Sequence, residues 1–369
     1  MLIKDEIHGT LEFDALEERI IDSGPFQRLR RIRQMSVTNL VYPGANHTRF
    51  EHSLGTAHLS GVIARKLGLD GDTVRKIKLY GLLHDIGHTA FSHEGEDVVG
   101  RHIGDHEKLG RQRIMKGEIA DILSDSFRPA EIADFGGSPY GSIISSDIGA
   151  DRMDYLKRDA LNTGVAYGII DVDRIVHTLR MENGGLCIHE GGLEAAEYLL
   201  IARFMMFSTV YMHHTVRIAT AMLYRAIEGA IEDGVAPALF GEADDDVAMA
   251  AIMGSGRGGR YADALMKRRL YKEVCSLPTK GWSEAKAREL EARLSDSADA
   301  DVIVDYPHRF FRQVGFHVKT DEGLKPMTEL SRLVQGLKKA EEERMMVLVL
   351  ADEKTRSSKG EKIARLSRR

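Results

Sequence analysis

The segment LYGLLHDIGHTAFSHEGE, residues 79–96, passes from an apolar helical pattern into a cluster of histidines and acids. Ile77, His84 and His88 share one stripe of a helical pattern, so the two histidines continue an apolar face and point inward. Asp85 follows His84 directly, and a buried carboxylate beside an imidazole is costly unless a cation or a hydrogen-bond network compensates. The segment therefore predicts a helical core around a buried polar site.

The rest of the first 230 residues is also typical of helices, with few prolines and long stretches of 3.6-residue periodicity. Short strands are predicted at residues 40–42 and 186–188, and a single helix of roughly 35–40 residues is predicted over 193–234. The pattern favours a mostly α protein with a helical core.

Beyond Gly234 the sequence changes character. The glycine-rich segment 254–260 predicts a surface loop, and three β-branched runs predict a small sheet in an α+β lobe at 302–304, 316–319 and 346–350. We therefore expect a core over 1–234, a C-terminal lobe over 235–353 and a flexible basic tail over 354–369.

Composition restricts the class of protein. Of 369 residues, 43% are hydrophobic and 29% charged, as in soluble globular proteins. Neither Cys187 nor Cys275 lies in a CxxC motif, which argues against a disulfide framework or a thiolate zinc site. The N-terminus lacks the apolar core of a signal peptide, and the longest apolar run, 345–351, is too short to span a membrane. We expect a cytoplasmic protein.

Charge is unevenly distributed. The net charge is −5, and residues 354–369 hold seven basic residues and one acid, a tail charge of +6, so the remainder carries −5 − 6 = −11. Nonspecific duplex binding needs a basic surface, so the acidic body argues against it as the main function. The tail is more typical of a solvated or disordered end than of a nucleic-acid arm.

Histidine is strongly clustered, with eight of 15 falling between residues 47 and 106. His52, His84, Asp85 and Asp151 offer two nitrogen and two carboxylate ligands from separated segments. On an octahedral ion this set leaves about two positions for water or a phosphate oxygen, which is a hydrolytic arrangement. It suits one divalent metal per subunit, and manganese, iron, nickel, cobalt, zinc and magnesium all stay open.

Helical spacing places further groups beside this centre. Tyr155 and Asp159 follow Asp151 by four and eight residues, so they lie along the same side of a helix. Tyr211 follows Arg203 by eight residues and reaches the same side of its own helix. Tyr155 and Tyr211 are also compatible with an ordinary amphipathic core.

Five motifs resemble the HD-domain phosphohydrolases, and most closely the deoxynucleotide triphosphohydrolases of the SAM-and-HD-domain type: PFQRLRRIRQ, YPGANHTRFEHSLG, LLHDIGHTAFSHEGE, DHE and DRMDYLKRDA. The resemblance runs from residue 2 to about 275 and is most specific over 22–160. It implies an HD fold, the four metal ligands named above, and hydrolysis of dNTPs to deoxynucleoside and triphosphate.

The same resemblance implies catalytic groups around the metal. Histidines and acids match the family's catalytic positions at His88, His93, Glu96, His106 and Glu107. His106 is the expected acid or proton shuttle, with Glu96 or Glu107 holding its tautomer or raising its pKa. A structural role around the metal is the alternative for these histidines.

Substrate residues follow by resemblance as well. Arg49 and Arg203 match phosphate-binding arginines, and Arg152 stands where the family has a phosphate-binding lysine. Gln34, Asp159 and Tyr211 are expected to surround the ribose 3′-hydroxyl and to exclude a 2′-hydroxyl, with Tyr155 beside them.

A regulatory pocket between subunits is also implied. Asp22, Gln27 and Arg30 match a guanine-nucleotide activating site, and an adjoining dNTP site is matched by Val41, Tyr42, Asp171, Arg174, His213, Arg268 and Lys272. Met1, Lys4 and Gly191 depart from the family pattern, so GTP or dNTP activation is less firmly implied. A homo-oligomer, dimer or tetramer, rests on the resemblance alone.

Two other functions stay open. The first is an HD phosphohydrolase acting on GTP, another ribonucleotide, a cyclic nucleotide or a nucleoside monophosphate. The second is a nucleotide sensor or single-stranded nucleic-acid binder with an inactive HD centre, for which the basic tail is the main support. No membrane partner is expected.

Overall fold

The computed structural model describes residues 1–307 and 315–368 and is mostly helical, as predicted. The helices, in chain order, are α1 (Ala15–Asp22), α2 (Gly24–Arg28), α3 (Arg49–Lys66), α4 (Gly71–Leu83), α5 (Ser92–Ile103), α6 (His106–Met115), α7 (Glu118–Leu123), α8 (Pro129–Ala133), α9 (Ser142–Ser145), α10 (Ala150–Thr163), α11 (Val172–Thr178), α12 (Leu193–Met206), α13 (His214–Glu232), α14 (Pro237–Glu242), α15 (Asp245–Met253), α16 (Arg257–Met266), α17 (Glu284–Ala298), α18 (Met327–Leu330), α19 (Arg332–Arg344) and α20 (Glu353–Ser367). The strands are β1 (Leu2–Asp5), β2 (Gly9–Glu12), β3 (Leu179–Glu182), β4 (Gly185–His189), β5 (Lys272–Pro278), β6 (Val302–Asp305), β7 (His317–Thr320), β8 (Gly323–Pro326) and β9 (Met346–Ala351).

The described chain forms two compact units. The first contains Met1–Met206, Ala236–Ala248 and 315–335, and the second contains Phe207–Val235, 249–307 and 336–368. This division differs from the single boundary expected near Gly234, because residues 236–248 return to the first unit. There the Asp245 carboxylate accepts hydrogen bonds from the backbone of Arg33 and Phe91 at 3.0 and 2.7 Å.

The core of the first unit is built on α3, which packs against both α4 and α10. Fully buried apolar side chains fill the space between these helices and the N-terminal segment, among them Phe26, Leu79 and Leu82. Helix α3 begins where the Glu51 carboxylate accepts a hydrogen bond from the backbone of Thr48 at 2.6 Å. This cap fixes the first turn of α3, which carries Arg49 and His52.

Small sheets complete both units. In the first, β1 and β2 form an antiparallel hairpin, and β3, β4, β7 and β8 form a sheet in that order with β4 and β7 parallel. In the second, β5, β9 and β6 form an antiparallel sheet covered by α17 and α20. The strands predicted near 186–188, 302–304, 316–319 and 346–350 are confirmed. The strand predicted at 40–42 is wrong, since Ser36–Leu40 is a 3-10 turn.

The single long helix predicted over 193–234 is interrupted. Helix α12 ends at Met206, a π-helical turn covers Phe207–Tyr211, and α13 starts at His214. Hydrophobic periodicity does not detect the extra residue per turn of a π-helical segment. The sequence pattern therefore predicted one continuous helix where the structure has an interruption.

The glycine-rich segment predicted as a surface loop belongs in part to α16, which starts at Arg257. A Cβ at Gly258 would lie 2.3 Å from the Ala226 carbonyl oxygen on α13. The glycine therefore serves the close approach of two helices rather than a loop.

The basic segment expected to be flexible forms α20 in the structure. Ile363 is fully buried, and Lys359 and Lys362 donate hydrogen bonds to backbone carbonyls at the end of α17 and just beyond it. Those carbonyls lack partners within their own helix, so lysines are favourable neighbours for them. Within the described residues, no helix is long and apolar enough to cross a membrane.

Candidate active site

Three helices of the first unit bring the four predicted metal ligands together. His52 lies on α3, His84 and Asp85 follow α4, and Asp151 lies in the first turn of α10. The His52 Nε2 atom is 3.1 Å from Asp151 Oδ1 and 3.7 Å from Asp85 Oδ2. The His84 Nε2 atom is 3.3 Å from Asp85 Oδ1 and 3.9 Å from Asp151 Oδ1. Ligand atoms of His52, His84 and Asp85 therefore lie within 4.8 Å of one another, and the Asp151 carboxylate approaches both imidazoles.

The donor atoms of this group suit a divalent cation. Among the described residues, His52 Nε2 and His84 Nε2 are buried and make no hydrogen bond. Burial lowers the pKa of His52, but the neighbouring carboxylates of Asp151 and Asp154 outweigh this and raise the pKa to about 10. The nearby carboxylates therefore favour a positive charge between these side chains. A divalent ion would supply that charge while both imidazoles are neutral.

Arg49 adds a fixed positive charge on the other side of Asp85. It is buried, and it donates hydrogen bonds to Asp85 at 2.7 Å and to the Ser92 hydroxyl at 3.0 Å. Burial alone would raise the pKa of Asp85, but His84 and Arg49 hold it well below its usual range. One donor group of Arg49 therefore holds the predicted metal ligand Asp85, a contact that was not part of its predicted phosphate role.

The predicted catalytic histidines form a second cluster next to the first. Ligand atoms of His88, His93, Glu96 and His106 lie within 4.8 Å of one another. The rings of His88 and His106 are stacked at 4.3 Å, and His88 Nε2 is 3.3 Å from Asp85 Oδ1. The two clusters therefore meet at His88 and Asp85.

The surroundings of His88 and His106 shift their pKa values in opposite directions. Burial and Arg49 hold the pKa of His88 well below its usual range. Burial also lowers the pKa of His106, but its 2.7 Å hydrogen bond to Glu96 raises it above the usual value. Glu107 is exposed on the first turn of α6, whereas Glu96 is hydrogen-bonded to His106. Of the two acids that the sequence left open as partners of His106, Glu96 is therefore the one that contacts its ring.

Two of the predicted sugar-facing residues contact His47, which was not singled out from the sequence. The His47 ring is 2.8 Å from Asp159 Oδ1, and the His47 carbonyl accepts a hydrogen bond from the backbone of Gln34 at 3.0 Å. Within the described part of the chain, Gln34 Oε1 is buried with no hydrogen-bond partner. The Tyr155 ring is 6.5 Å from that of His52. Gln34, Asp159 and Tyr155 thus lie in one region of the first unit.

The two other predicted phosphate arginines converge on a carboxylate. Arg203 donates a hydrogen bond to Asp147 at 2.8 Å, and Arg152 is in contact with the same oxygen of Asp147. The other oxygen of Asp147 accepts a hydrogen bond from the backbone of Gly315 at 2.7 Å. Arg152 and Arg203 are therefore held close together by one carboxylate.

The remaining predicted residues are distributed over both units. Asp22, Gln27 and Arg30 lie on consecutive short elements, where Arg30 donates to Gln27 at 2.8 Å and its guanidinium lies 3.5 Å from the centre of the Phe50 ring. Val41 and Tyr42 are half-buried, Asp171 caps α11 through the Arg174 backbone, and Arg174 donates to the Gly191 carbonyl. The second unit holds Tyr211, His213, Arg268 and Lys272.

Sequence reasoning missed the groups behind the metal ligands. Asp154 is fully buried and contacts His52, His8 and Arg158. A usable signal was present, because Asp154 follows Asp151 by three residues and therefore shares its helix face. His8 and Asp147 carried no such signal.

Comparison with known proteins shows the family. The HD domain family matches residues 49–159, and the family described as HD associated region matches residues 170–366. The first match contains all four predicted metal ligands, and the second covers more than half of the chain. The chain therefore belongs to the HD-domain phosphohydrolase superfamily, and it carries an HD associated region after the HD domain.

Individual relatives extend this result. The uncharacterized protein MJ1154 of Methanocaldococcus jannaschii is 38% identical over 92% of this chain and 76% of its own length. The deoxynucleoside triphosphate triphosphohydrolase SAMHD1 homolog of Dictyostelium discoideum is 28% identical over 58% of this chain and 46% of its own length. A crystal structure of a hypothetical protein from Aquifex aeolicus superposes with a TM-score of 0.81 at 31% identity, covering 97% of this chain and 99% of that chain. The chain spans about half the length of several other curated relatives.

Proposed function

We propose that this protein is a metal-dependent dNTP triphosphohydrolase that cleaves the bond between the α-phosphorus and the 5′ oxygen, releasing deoxynucleoside and inorganic triphosphate. The observation that carries the proposal is the contact between two clusters. One offers two imidazoles and the Asp85 carboxylate to a cation, with Asp151 3.1 Å from His52, and the other stacks His88 on a histidine that is hydrogen-bonded to Glu96. A hydrolase of a phosphate ester needs both a cation and a proton donor.

The metal would be held by His52, His84, Asp85 and Asp151. When bound, a divalent ion supplies Lewis-acid polarisation of a phosphoryl oxygen and a more acidic water. The identity of the ion, whether manganese, iron, cobalt, nickel, zinc or magnesium, is left to experiment because this ligand set suits all of them.

The second cluster would manage the protons. Attack of water on the α-phosphorus forms one P–O bond and breaks the bond to the 5′ oxygen, which leaves as an alkoxide unless it is protonated. His106 is suited to donate that proton, since Glu96 favours its charged form. His88 and His93 are suited to accept the proton of the attacking water, since their rings lie 4.7 Å apart within the same cluster.

Two groups of residues would select the substrate. Arg152 and Arg203 would bind the polyphosphate. Arg49 would assist them in binding phosphate, since its contact with Asp85 places it beside the residues that would hold the metal. Gln34, Asp159 and Tyr155 would face the sugar, and the unpartnered Oε1 of Gln34 is suited to accept a hydrogen bond from the 3′-hydroxyl. The exclusion of a 2′-hydroxyl by Tyr211 stays a prediction from the resemblance, since this residue belongs to the second unit.

Regulation and assembly are further parts of the proposal. The match of Asp22, Gln27 and Arg30 to an activating site supports activation by a guanine nucleotide. Relatives named as SAMHD1 support dNTP as the substrate class. A homo-oligomer, dimer or tetramer, follows from the same likeness. The cytoplasmic location rests instead on the sequence, in which neither cysteine lies in a CxxC motif.

The test is a product analysis. The purified protein is incubated with each dNTP and with GTP, singly and in pairs, in Mn²⁺ or Mg²⁺, and products are separated by anion-exchange chromatography. We expect deoxynucleoside and intact triphosphate. Faster turnover in the presence of a second nucleotide would support a regulatory pocket at Asp22 and Arg30.

Controls separate the alternatives. The double variant His84→Ala, Asp85→Ala should lose activity, while Arg19→Met, an exposed change in the same unit, should keep it. Release of monophosphate or orthophosphate, or no turnover with any metal, would overturn the proposed reaction. Equal turnover of GTP and dGTP would overturn the proposed sugar wall.

A further inference from the structure

A buried carboxylate outside the ligand set contacts a ligand histidine from behind. Asp154 lies on α10, three residues after Asp151, and its side chain is fully buried. One of its oxygens is 2.8 Å from His52 Nδ1, and the other is 2.7 Å from His8 Nε2. Each oxygen also accepts a hydrogen bond from the Arg158 guanidinium, at 3.0 and 2.9 Å.

This contact determines which nitrogen of His52 can bind a cation. A carboxylate only accepts hydrogen bonds, so His52 Nδ1 must carry a proton that it donates to Asp154. In a neutral ring the lone pair then lies on Nε2, the nitrogen that faces Asp151 and Asp85. The hydrogen bond also fixes the rotation of the ring, because it is made on the side opposite the cation.

Asp154 is itself held by the N-terminal hairpin. Arg158 lies one turn further along α10, and its remaining nitrogen, Nη1, donates a hydrogen bond to Asp5 at 2.9 Å. The other oxygen of Asp5 accepts hydrogen bonds from the backbone of Ile7 and His8 at 2.9 and 2.8 Å, which fixes the turn that carries the His8 ring. The turn between β1 and β2 is thereby tied to α10 at two points.

Helix α3 leaves space for this arrangement. Gly55 lies one turn after His52, and a Cβ at this position would be 1.9 Å from Asp154 Oδ1 and 2.5 Å from Arg158 Nη2. A larger residue would therefore displace the carboxylate from the His52 ring.

We propose that Asp154 is the positioning residue for the metal ligand His52, and that His8 of the N-terminal hairpin holds Asp154 in place. The inference rests on the metal-binding part of the proposed function and does not depend on the nucleotide substrate. Partners of this kind typically change metal affinity by about 10- to 100-fold when they are removed. The hairpin would then contribute to metal affinity although it supplies no metal ligand.

The test measures binding of Mn²⁺ alone to the metal-free full-length protein, by electron paramagnetic resonance of the free ion, well below the melting temperature. We expect Asp154→Asn to weaken binding by about 10- to 100-fold and His8→Ala by about tenfold. His8→Gln keeps an N–H donor and should recover most of the lost affinity. His58→Gln is the matched control, since its ring is 5.4 Å from that of His8, and it should bind Mn²⁺ as the wild type does.

The comparison of His8→Ala with His8→Gln keeps the inference testable even if Asp154→Asn does not fold. Equal, wild-type affinity in both His8 variants would overturn it. A purely structural role would lower the melting temperature of the metal-free protein without changing the dissociation constant for Mn²⁺. A protein that binds Mn²⁺ as expected but fails to hydrolyse dNTPs would overturn the proposed function and leave this inference standing.

Discussion

Replacing Arg158 by Met should destabilise the first unit severely. The Arg158 side chain is fully buried and donates two hydrogen bonds to Asp154 and one to Asp5. Methionine fills a similar volume without charge, so the variant leaves two carboxylates facing each other inside the protein. Breaking a buried pair in this way costs about 3–5 kcal/mol, a large part of the 5–15 kcal/mol that usually stabilises a protein.

Hydrogen exchange is the appropriate assay, because a chain with two compact units need not unfold in a single transition. A loss of 3–5 kcal/mol corresponds to exchange roughly 10²- to 10⁴-fold faster at the most protected amides of α10. The matched control is Arg19→Met, which removes an ion pair with Asp125 whose partners are 53% and 59% exposed and which should cost less than about 1 kcal/mol. If Arg158→Met accelerates exchange no more than Arg19→Met, the argument from buried charge is wrong.

Three further predictions concern charge and metal. Glu96→Gln should shift the alkaline limb of the pH profile of kcat/KM to lower pH, because the Glu96 carboxylate raises the pKa of His106. A proton donor loses activity above its pKa. An unmoved profile would exclude His106 as the acid. Mn²⁺ at 100 times its dissociation constant should stabilise the wild type by about 2.7 kcal/mol in thermal unfolding and leave the His84→Ala, Asp85→Ala variant unchanged. Burial raises the pKa of Asp245 to about 6 from 3.8. Its contribution to the free energy of unfolding is therefore present near pH 4 and is lost as the pH rises through about 6. In urea unfolding, Asp245→Asn should lack this fall in stability with pH.

Much of the candidate metal centre could be predicted from the sequence because the residues that would bind the ion lie in locally regular patterns. Helical spacing places His84 at the end of an apolar stripe, and the HD dipeptide supplies a nitrogen and a carboxylate at adjacent positions. The same spacing placed Tyr155 and Asp159 on the Asp151 side of α10. These are short-range relations, and the structure retains them.

The longer elements were less predictable. The π-helical turn at Phe207–Tyr211 and the close packing at Gly258 depend on local geometry that hydrophobic periodicity does not encode. The helix at Glu353–Ser367 is stabilised by partners 60 or more residues away, such as the carbonyl groups that bind Lys359.

Residue type and spacing over a few turns were enough to predict the helical class, the clustering of histidine and the residues able to bind a cation. The groups that orient those residues became visible only in the folded chain. Asp154 and His8 are 146 positions apart, and Arg28 reaches backbone carbonyls 213 to 215 residues away. Buried polar groups must find hydrogen-bond partners wherever the fold places them, and that search is not confined to neighbours in sequence.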